Sequence, residues 1–98
     1  MISSDEILKI LQDEKTRLRE LGIYGIGLFG SYIRGEATEV SDIDILIDIT
    51  EDTILSLFSL VELEQSFTEK FRTKVDIAIR KDLKPGIGKK ILLEVKYV

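Results

Sequence analysis

Two stretches of the sequence combine residue types and spacings that could do chemistry on a phosphate group. The first is Gly30-Ser31, which follows a short apolar run and is predicted to turn directly into a brief helix over about 31–37. The first turn of a helix offers unpaired backbone N–H groups and the positive end of the helix dipole, so it attracts anions. The glycine lets the backbone approach an anion, Ser31 adds a hydroxyl donor, and Arg34 follows one turn later. The alternative is an ordinary serine-capped helix after a glycine turn.

The second stretch begins at Ser41 and opens a segment in which every second residue is isoleucine. A period of two indicates a strand whose isoleucine face packs on the core. Asp42 and Asp44 then present their carboxylates side by side, which suits oxygen ligation of Mg²⁺. The alternative is a solvated face, which we expect for Asp48 in the same row. A calcium-binding loop is disfavoured, because isoleucine and threonine stand where that loop needs glycine and glutamate.

A third aspartate, Asp76, lies on the polar side of another predicted strand, over 74–80. A lone strand aspartate is usually structural. If the two aspartate-bearing strands are neighbours, however, three carboxylates converge on one surface. Three carboxylates around two Mg²⁺ ions can hold a triphosphate and activate a hydroxyl for attack at phosphorus.

The composition excludes most other catalytic chemistry. The chain has no Cys, His or Trp, which removes disulfides, thiolate nucleophiles, Ser-His-Asp triads and the usual zinc sites. Any metal must therefore be a hard ion held by oxygen. No apolar run is long enough to span a membrane and no signal segment is apparent, so we expect a cytoplasmic protein without membrane contact.

The charge is acidic overall and unevenly distributed. A net charge of −4 disfavours direct nucleic-acid binding. Fifteen acidic and five basic groups in residues 1–69 give −10, and nine basic and three acidic groups in 70–98 give +6. The basic C-terminal third could face an anionic ligand or an acidic partner, or it could be a solvated lysine-rich face.

The hydrophobic pattern predicts one domain over 1–98, of the α/β or α+β class, with element order α-β-α-β-α-β-α and a three-stranded mixed sheet. Ser3 and Glu6 stand at capping-box spacing for a first helix, and Gly22 is its expected stop. The remaining predicted strands are 23–29, 42–49 and 74–80, and the remaining predicted helices are about 31–37, 52–71 and 87–96. The apolar face predicted for the helix at 52–71 consists of Ile54, Leu57, Phe58, Val61, Phe67 and Phe71. The helix at 87–96 is predicted to bury Ile87, Ile91, Leu92 and Val95.

Together, Gly30-Ser31-x-x-Arg34-Gly35, Ser41-Asp42-x-Asp44 and the late Asp76 resemble the nucleotidyltransferase superfamily of DNA polymerase beta. The length is similar to that of its minimal branch, the MNT domains. The resemblance implies that Gly30 and Ser31 hold the β- and γ-phosphates of a nucleoside triphosphate, and that Asp42 and Asp44 ligate two Mg²⁺ ions. Asp76 would complete the metal site and help to deprotonate the attacking hydroxyl. Supporting roles fall to Arg34, in phosphate contact, and Ser41, in loop geometry.

The resemblance also implies a partner. Larger superfamily members carry a domain that grips the acceptor, and 98 residues leave no room for one. Minimal members are typically antitoxins that transfer AMP from ATP to a tyrosine of an all-helical HEPN-type toxin. Two alternatives stay open: a catalytically silent antitoxin that binds its partner, and an NTP-binding subunit of a larger two-chain transferase. The sequence also leaves a homodimer open.

Overall fold

The first helix forms as its capping residues predict. In the computed structural model, which describes residues 1–98, helix α1 spans Ser4–Glu20. The Ser3 Oγ accepts the Glu6 N–H at 3.1 Å and donates to the Glu6 carboxylate at 3.1 Å, so each satisfies the other at the helix start. Gly22, at φ +85°, follows the helix end in the left-handed region.

The strands form one mixed sheet with the order β3-β2-β1-β4. Its members are β1 (Ile23–Phe29), β2 (Ile43–Ile49), β3 (Val75–Ile79) and β4 (Lys96–Tyr97). Strand β2 runs antiparallel to β1 and parallel to β3, and β4 runs antiparallel to β1. The α+β class and the mixed sheet are confirmed.

The prediction of three strands was wrong, because β4 adds a fourth. This strand has two residues, too few for an alternating pattern, and the sequence placed residue 96 in the preceding helix. Gly27 permits the pairing, since a Cβ there would lie 2.7 Å from a Val95 methyl group and 2.9 Å from the Lys96 carbonyl oxygen.

One apolar core holds β2 in place. The isoleucine face of β2 is buried as predicted, and helix α3 (Leu57–Phe71) packs on the same cluster as α1. The 15 buried residues of this cluster are Ile7, Leu11, Leu18, Ile23, Ile26, Leu28, Tyr32, Ile43, Ile45, Ile47, Ile49, Leu63, Phe67, Phe71 and Val75. A strand with two paired edges and a buried face cannot slip by one residue without exposing all its isoleucines.

The predicted start and face of α3 were wrong. The helix begins at Leu57 after the cap Ser56, whose Oγ accepts the Ser59 N–H at 3.1 Å, while Thr53 closes a turn onto Thr50. Phe67 and Phe71 are buried as expected. The exposed members of the predicted face are Ile54, Leu57, Phe58 and Val61. Ile54 precedes the helix, and the other three are not part of the core cluster.

The short and the last helix also differ from the prediction. Helix α2 spans only Ser31–Arg34, because Gly35 at φ +73° ends it. Helix α4 spans Pro85–Glu94, with the proline in its first turn. Ile91 is buried and Val95 half-buried, whereas Ile87 and Leu92 are exposed, because α4 lies outside the main core cluster.

The solvated position predicted for Asp48 was wrong as well. Only 6% of this residue is exposed. The Tyr97 hydroxyl donates to Asp48 Oδ1 at 3.3 Å, and Arg80 Nη1 lies 3.5 Å from Oδ2. These contacts join β2 to β4 and to the 3₁₀ turn Arg80–Asp82. None of the helices combines the length and the apolar character that crossing a membrane requires.

Gly27→Val should loosen β4, because the added side chain would collide with Val95 and the Lys96 backbone. We expect a loss of about 1–3 kcal/mol in the free energy of unfolding, the usual cost of overpacking, measured by urea denaturation. Gly86→Ala is the matched control, since nothing lies within 4 Å of its added Cβ. An unchanged unfolding free energy for Gly27→Val would contradict the close packing of β4.

Candidate active site

Strand register brings two of the predicted aspartates into direct neighbourhood. Asp44 pairs with Asp76 across the parallel strands β2 and β3, and with Phe29 across the antiparallel strands β1 and β2. Asp42 immediately precedes β2 on the same side. Residues opposite each other on adjacent strands have Cβ atoms about 5 Å apart. The structure therefore gathers all three aspartates beside the end of β1 from which Gly30 leads.

Burial and mutual repulsion affect the pKa of two of these carboxyl groups, those of Asp44 and Asp76. Partial burial, and then the negative charges of Asp76 and Asp42, raise the pKa of Asp44 above its ordinary value. Limited burial and the adjacent Asp42 carboxylate raise the pKa of Asp76. The Lys74 ammonium lies 3.7 Å from Asp42 and 3.9 Å from Asp76, but it is exposed to solvent. A screened lysine compensates the cluster only in part.

Gly30 connects the aspartates to the start of α2. It is buried and adopts φ +79°, and a Cβ there would collide with the Asp44 carboxylate. Only glycine meets both demands without strain. The backbone consequently passes against Asp44, with the Gly30 N–H facing Glu94 Oε1 at 3.0 Å.

Arg34 is held by two carboxylates. Its Nε donates to Glu36 at 2.7 Å, and its Nη1 donates to both Glu94 oxygens at 3.1 and 3.0 Å. The hydrogen bonds to Glu36 and then Glu94 raise the pKa of Arg34. Glu94 thus contacts both Gly30 and Arg34, two positions assigned to the nucleotide. Glu94 was not among the predicted site residues, because its sequence position indicates only that it lies in the last predicted helix.

The two serines occupy different surroundings. Ser31 begins α2 and is half-buried next to Gly30. The Ser41 Oγ accepts the Thr38 N–H at 2.9 Å, and the Ser41 N–H donates to the Thr38 carbonyl at 3.0 Å. Ser41 therefore closes the turn from which Asp42 enters β2.

An open cleft of about 770 Å³ lies between the end of β1 and helix α4. Gly30, Arg34 and Asp44 line one side of it, and Lys90 and Glu94 line the other. The volume is of the order found for small-molecule sites. The cleft connects the glycine turn with Asp44.

The donor chemistry of the cluster fits a hard divalent cation. Carboxylate oxygens are the ligands that Mg²⁺ prefers. Burial, and then repulsion from Asp76 and Asp42, raise the pKa of Asp44, and a cation would offset the repulsion. As the side chains stand, no three acidic groups form a ready metal-binding set. Asp42 and Asp76 now face Lys74, so joint ligation requires their carboxylates to rotate toward Asp44.

The chain is similar to known proteins in both sequence and fold. Residues 5–98 match the family model described as "Nucleotidyltransferase domain". The protein adenylyltransferase MntA of Thermococcus cleftensis is 46% identical over 100% of this chain and 98% of its own length. A solved toxin–antitoxin structure with AMP-PNP has a TM-score of 0.73 at 25% identity, covering 98% of this chain and 72% of that one. The fold is also that of a structure of a tri-AMPylated Shewanella oneidensis HEPN toxin with its MNT antitoxin, at a TM-score of 0.59 and 22% identity over 88% and 69% of the two chains.

The fold and the family match define one class, the nucleotidyltransferases. The chain belongs to the nucleotidyltransferase domain family, in the minimal branch that contains the MNT antitoxins.

Asp44→Asn should stabilise the fold at pH 7. A carboxyl group whose pKa is higher in the folded than in the unfolded protein destabilises the fold when ionised, and stability returns as the pH falls through that raised pKa. We expect a gain below about 1 kcal/mol in the free energy of unfolding at pH 7, shrinking toward zero in acid, measured by urea denaturation at each pH. Asp13→Asn, on the exposed side of α1, is the control. A loss of stability at pH 7 would show that the Asp44 charge is compensated.

Proposed function

We propose that this single domain, residues 1–98, transfers AMP from ATP to a hydroxyl of a partner protein in a Mg²⁺-dependent reaction. The acceptor is a tyrosine of an all-helical HEPN-type toxin, which the transfer silences. The observation that carries the proposal is the pairing of Asp44 with Asp76 across β2 and β3, beside the Gly30 turn. Neighbouring carboxylates next to an anion-accepting turn match the charge pattern of a metal triphosphate.

Each residue of the site has a role consistent with its surroundings. The Gly30 N–H and the Ser31 hydroxyl are the proposed donors to the β- and γ-phosphates, with Arg34 as a further cation. Asp42 and Asp44 would hold Mg²⁺ together with Asp76. When bound, Mg²⁺ would neutralise phosphate charge and polarise the phosphorus centre.

Asp76 is the proposed acceptor of the hydroxyl proton. Its side chain is the more exposed of the two that face Lys74, at 52% against 39% for Asp42, so an incoming hydroxyl can reach it. A carboxylate within reach of the acceptor hydroxyl can take its proton as a general base.

The proposed transfer consumes only ATP and the acceptor hydroxyl. The acceptor oxygen forms a bond to the α-phosphorus of ATP, and the bond from that phosphorus to the bridging oxygen of the β-phosphate breaks. Pyrophosphate leaves, the hydroxyl proton passes to Asp76, and AMP stays on the acceptor. Ser41 supports the step indirectly by shaping the turn before Asp42.

The relatives support a protein acceptor. The Thermococcus relative is named a protein adenylyltransferase and matches along nearly its whole length. The most similar structure described above is a toxin–antitoxin pair with an ATP analogue. The exposed apolar side chains of Ile54, Leu57 and Phe58 give this small domain a surface that a partner chain could cover.

A second candidate is an antitoxin that acts by binding alone. The observation that favours it is the pairing of Arg34 with Glu36 and Glu94, which leaves its guanidinium engaged within the chain. In this case, the aspartates would serve ligand sensing or no chemistry.

Asp44→Asn should abolish transfer, because it removes one of the central metal ligands. We expect a loss of at least about a hundredfold in the rate, measured as label from α-³²P-ATP appearing on the co-purified partner protein. Asp13→Asn should transfer label at the normal rate. Full activity of the folded Asp44→Asn protein would contradict the assigned role.

Metal dependence of nucleotide binding separates the two candidates. For a transferase, Mg²⁺ should tighten the binding of AMP-PNP at least about tenfold relative to EDTA, because the metal offsets the repulsion between triphosphate and aspartates. Calorimetry on the wild-type chain measures this ratio, and Asp44→Asn should reduce it toward one. Equal affinity in Mg²⁺ and EDTA would favour the binding-only antitoxin.

A further inference from the structure

The groups proposed to receive the triphosphate already hold an anion from the chain. Glu94 Oε1 accepts the Gly30 N–H at 3.0 Å and also accepts from Arg34 Nη1 at 3.1 Å, while Oε2 accepts from the same nitrogen at 3.0 Å. A carboxylate bound by a backbone N–H and a guanidinium uses the same donors that bind a phosphate. In the sequence, Glu94 is 64 positions from Gly30 and 60 positions from Arg34.

Glu94 breaks a local rule of helix chemistry. It is the last residue of α4, and the last turn of that helix has no basic residue. Negative charge at a helix C-terminus is unfavourable, because the unpaired carbonyl groups there carry partial negative charge. The contacts with Gly30 and Arg34 compensate this placement, and departures of this kind concentrate at functional sites.

The backbone around Glu94 is fixed, so its side chain is the part that can move. Directly after Glu94, strand β4 pairs with β1 at Gly27 and Leu28. Gly27 keeps Val95 and Lys96 close to β1. The Glu94 side chain itself is 25% exposed and lines the open cleft, which leaves room for rotation.

We propose that Glu94 is an internal competitor of the nucleotide. Its carboxylate occupies donors of the phosphate site, and the triphosphate binds as the Glu94 side chain rotates into the cleft. This inference rests on the proposed function, because it takes the Gly30–Arg34 region as the phosphate site. Lys90, one turn earlier on α4, lines the same cleft and is at the i, i+4 spacing at which a released Glu94 can pair with it.

Only the molecules in which the Glu94 side chain has left Gly30 and Arg34 can bind the nucleotide. The apparent affinity is the intrinsic affinity multiplied by the fraction of such molecules. The Glu94 carboxylate competes most effectively with anions that bind weakly, such as inorganic phosphate, because these lack the metal contacts of a triphosphate. A Mg²⁺ triphosphate also contacts the aspartates and therefore displaces Glu94.

Glu94→Gln tests the proposal with little change in shape. We expect the Kd for AMP-PNP in Mg²⁺ to fall about tenfold relative to wild type, since the internal anion is neutralised. Glu36→Gln is the matched control, because Glu36 also pairs with Arg34 but does not contact the Gly30 N–H. This control should change the Kd less than about twofold, as expected for an exposed ion pair.

The outcomes separate this inference from the proposed function. If Glu94→Gln and wild type bind AMP-PNP equally, or if the variant binds it more weakly, Glu94 is not a competitor and the proposed transfer can still stand. If neither protein binds AMP-PNP in Mg²⁺, the proposed function fails, and the competitor fails with it. Glu94→Ala, checked by thermal unfolding, repeats the measurement with a side chain that cannot accept the Gly30 N–H; tighter binding there supports the competition, and unchanged or weaker binding overturns it.

Discussion

Asp44 and Asp76 carry like charges and lie opposite each other on adjacent parallel strands. The repulsion cannot relax by a shift of register, because β2 is hydrogen-bonded on both edges and buries its isoleucine face in the core. The site therefore retains unfavourable charge, and burial together with this charge raises the pKa of Asp44. A cation would relieve this charge, so the core packing that stabilises the domain also keeps like charges together at a position that suits a cation. Enzymes commonly give up some stability at such sites.

The anion-accepting half of the site depends on close approach of backbones. Gly30 lies against Asp44, and Gly27 lets β4 lie against β1. The first contact puts the start of α2 next to the aspartates. The second contact brings the end of α4 over that start, with Glu94 on the Gly30 N–H. Two glycines thus bring the Gly30 N–H and the Glu94 carboxylate together, at the point where the phosphate site and its competitor are proposed.

The sequence predicted best where one physical signal dominated. The isoleucine alternation of β2 and the Ser3–Glu6 capping pair specify their elements locally, and both formed as expected. The prediction failed at Asp48, whose place in the row implied solvent. The chain's last strand covers that position, and Tyr97 and Arg80 contact it. Helix α3 was predicted to begin too early, and part of its predicted buried face is exposed. Periodicity does not distinguish a buried apolar face from an exposed one, and Phe58 is 85% exposed.

The sequence by itself determined the donor chemistry, because the absence of His and Cys leaves oxygen ligands and the spacing of Asp42 and Asp44 puts two of them on one side of a strand. It also pointed to the family, through the Gly-Ser and Asp-x-Asp motifs, and the family match over residues 5–98 confirms this. Tertiary structure decided which strand pairs with β2, and hence that Asp76 faces Asp44. It alone brought Glu94 to Gly30, because a contact across 64 residues leaves no local pattern and depends on how β4 packs against β1.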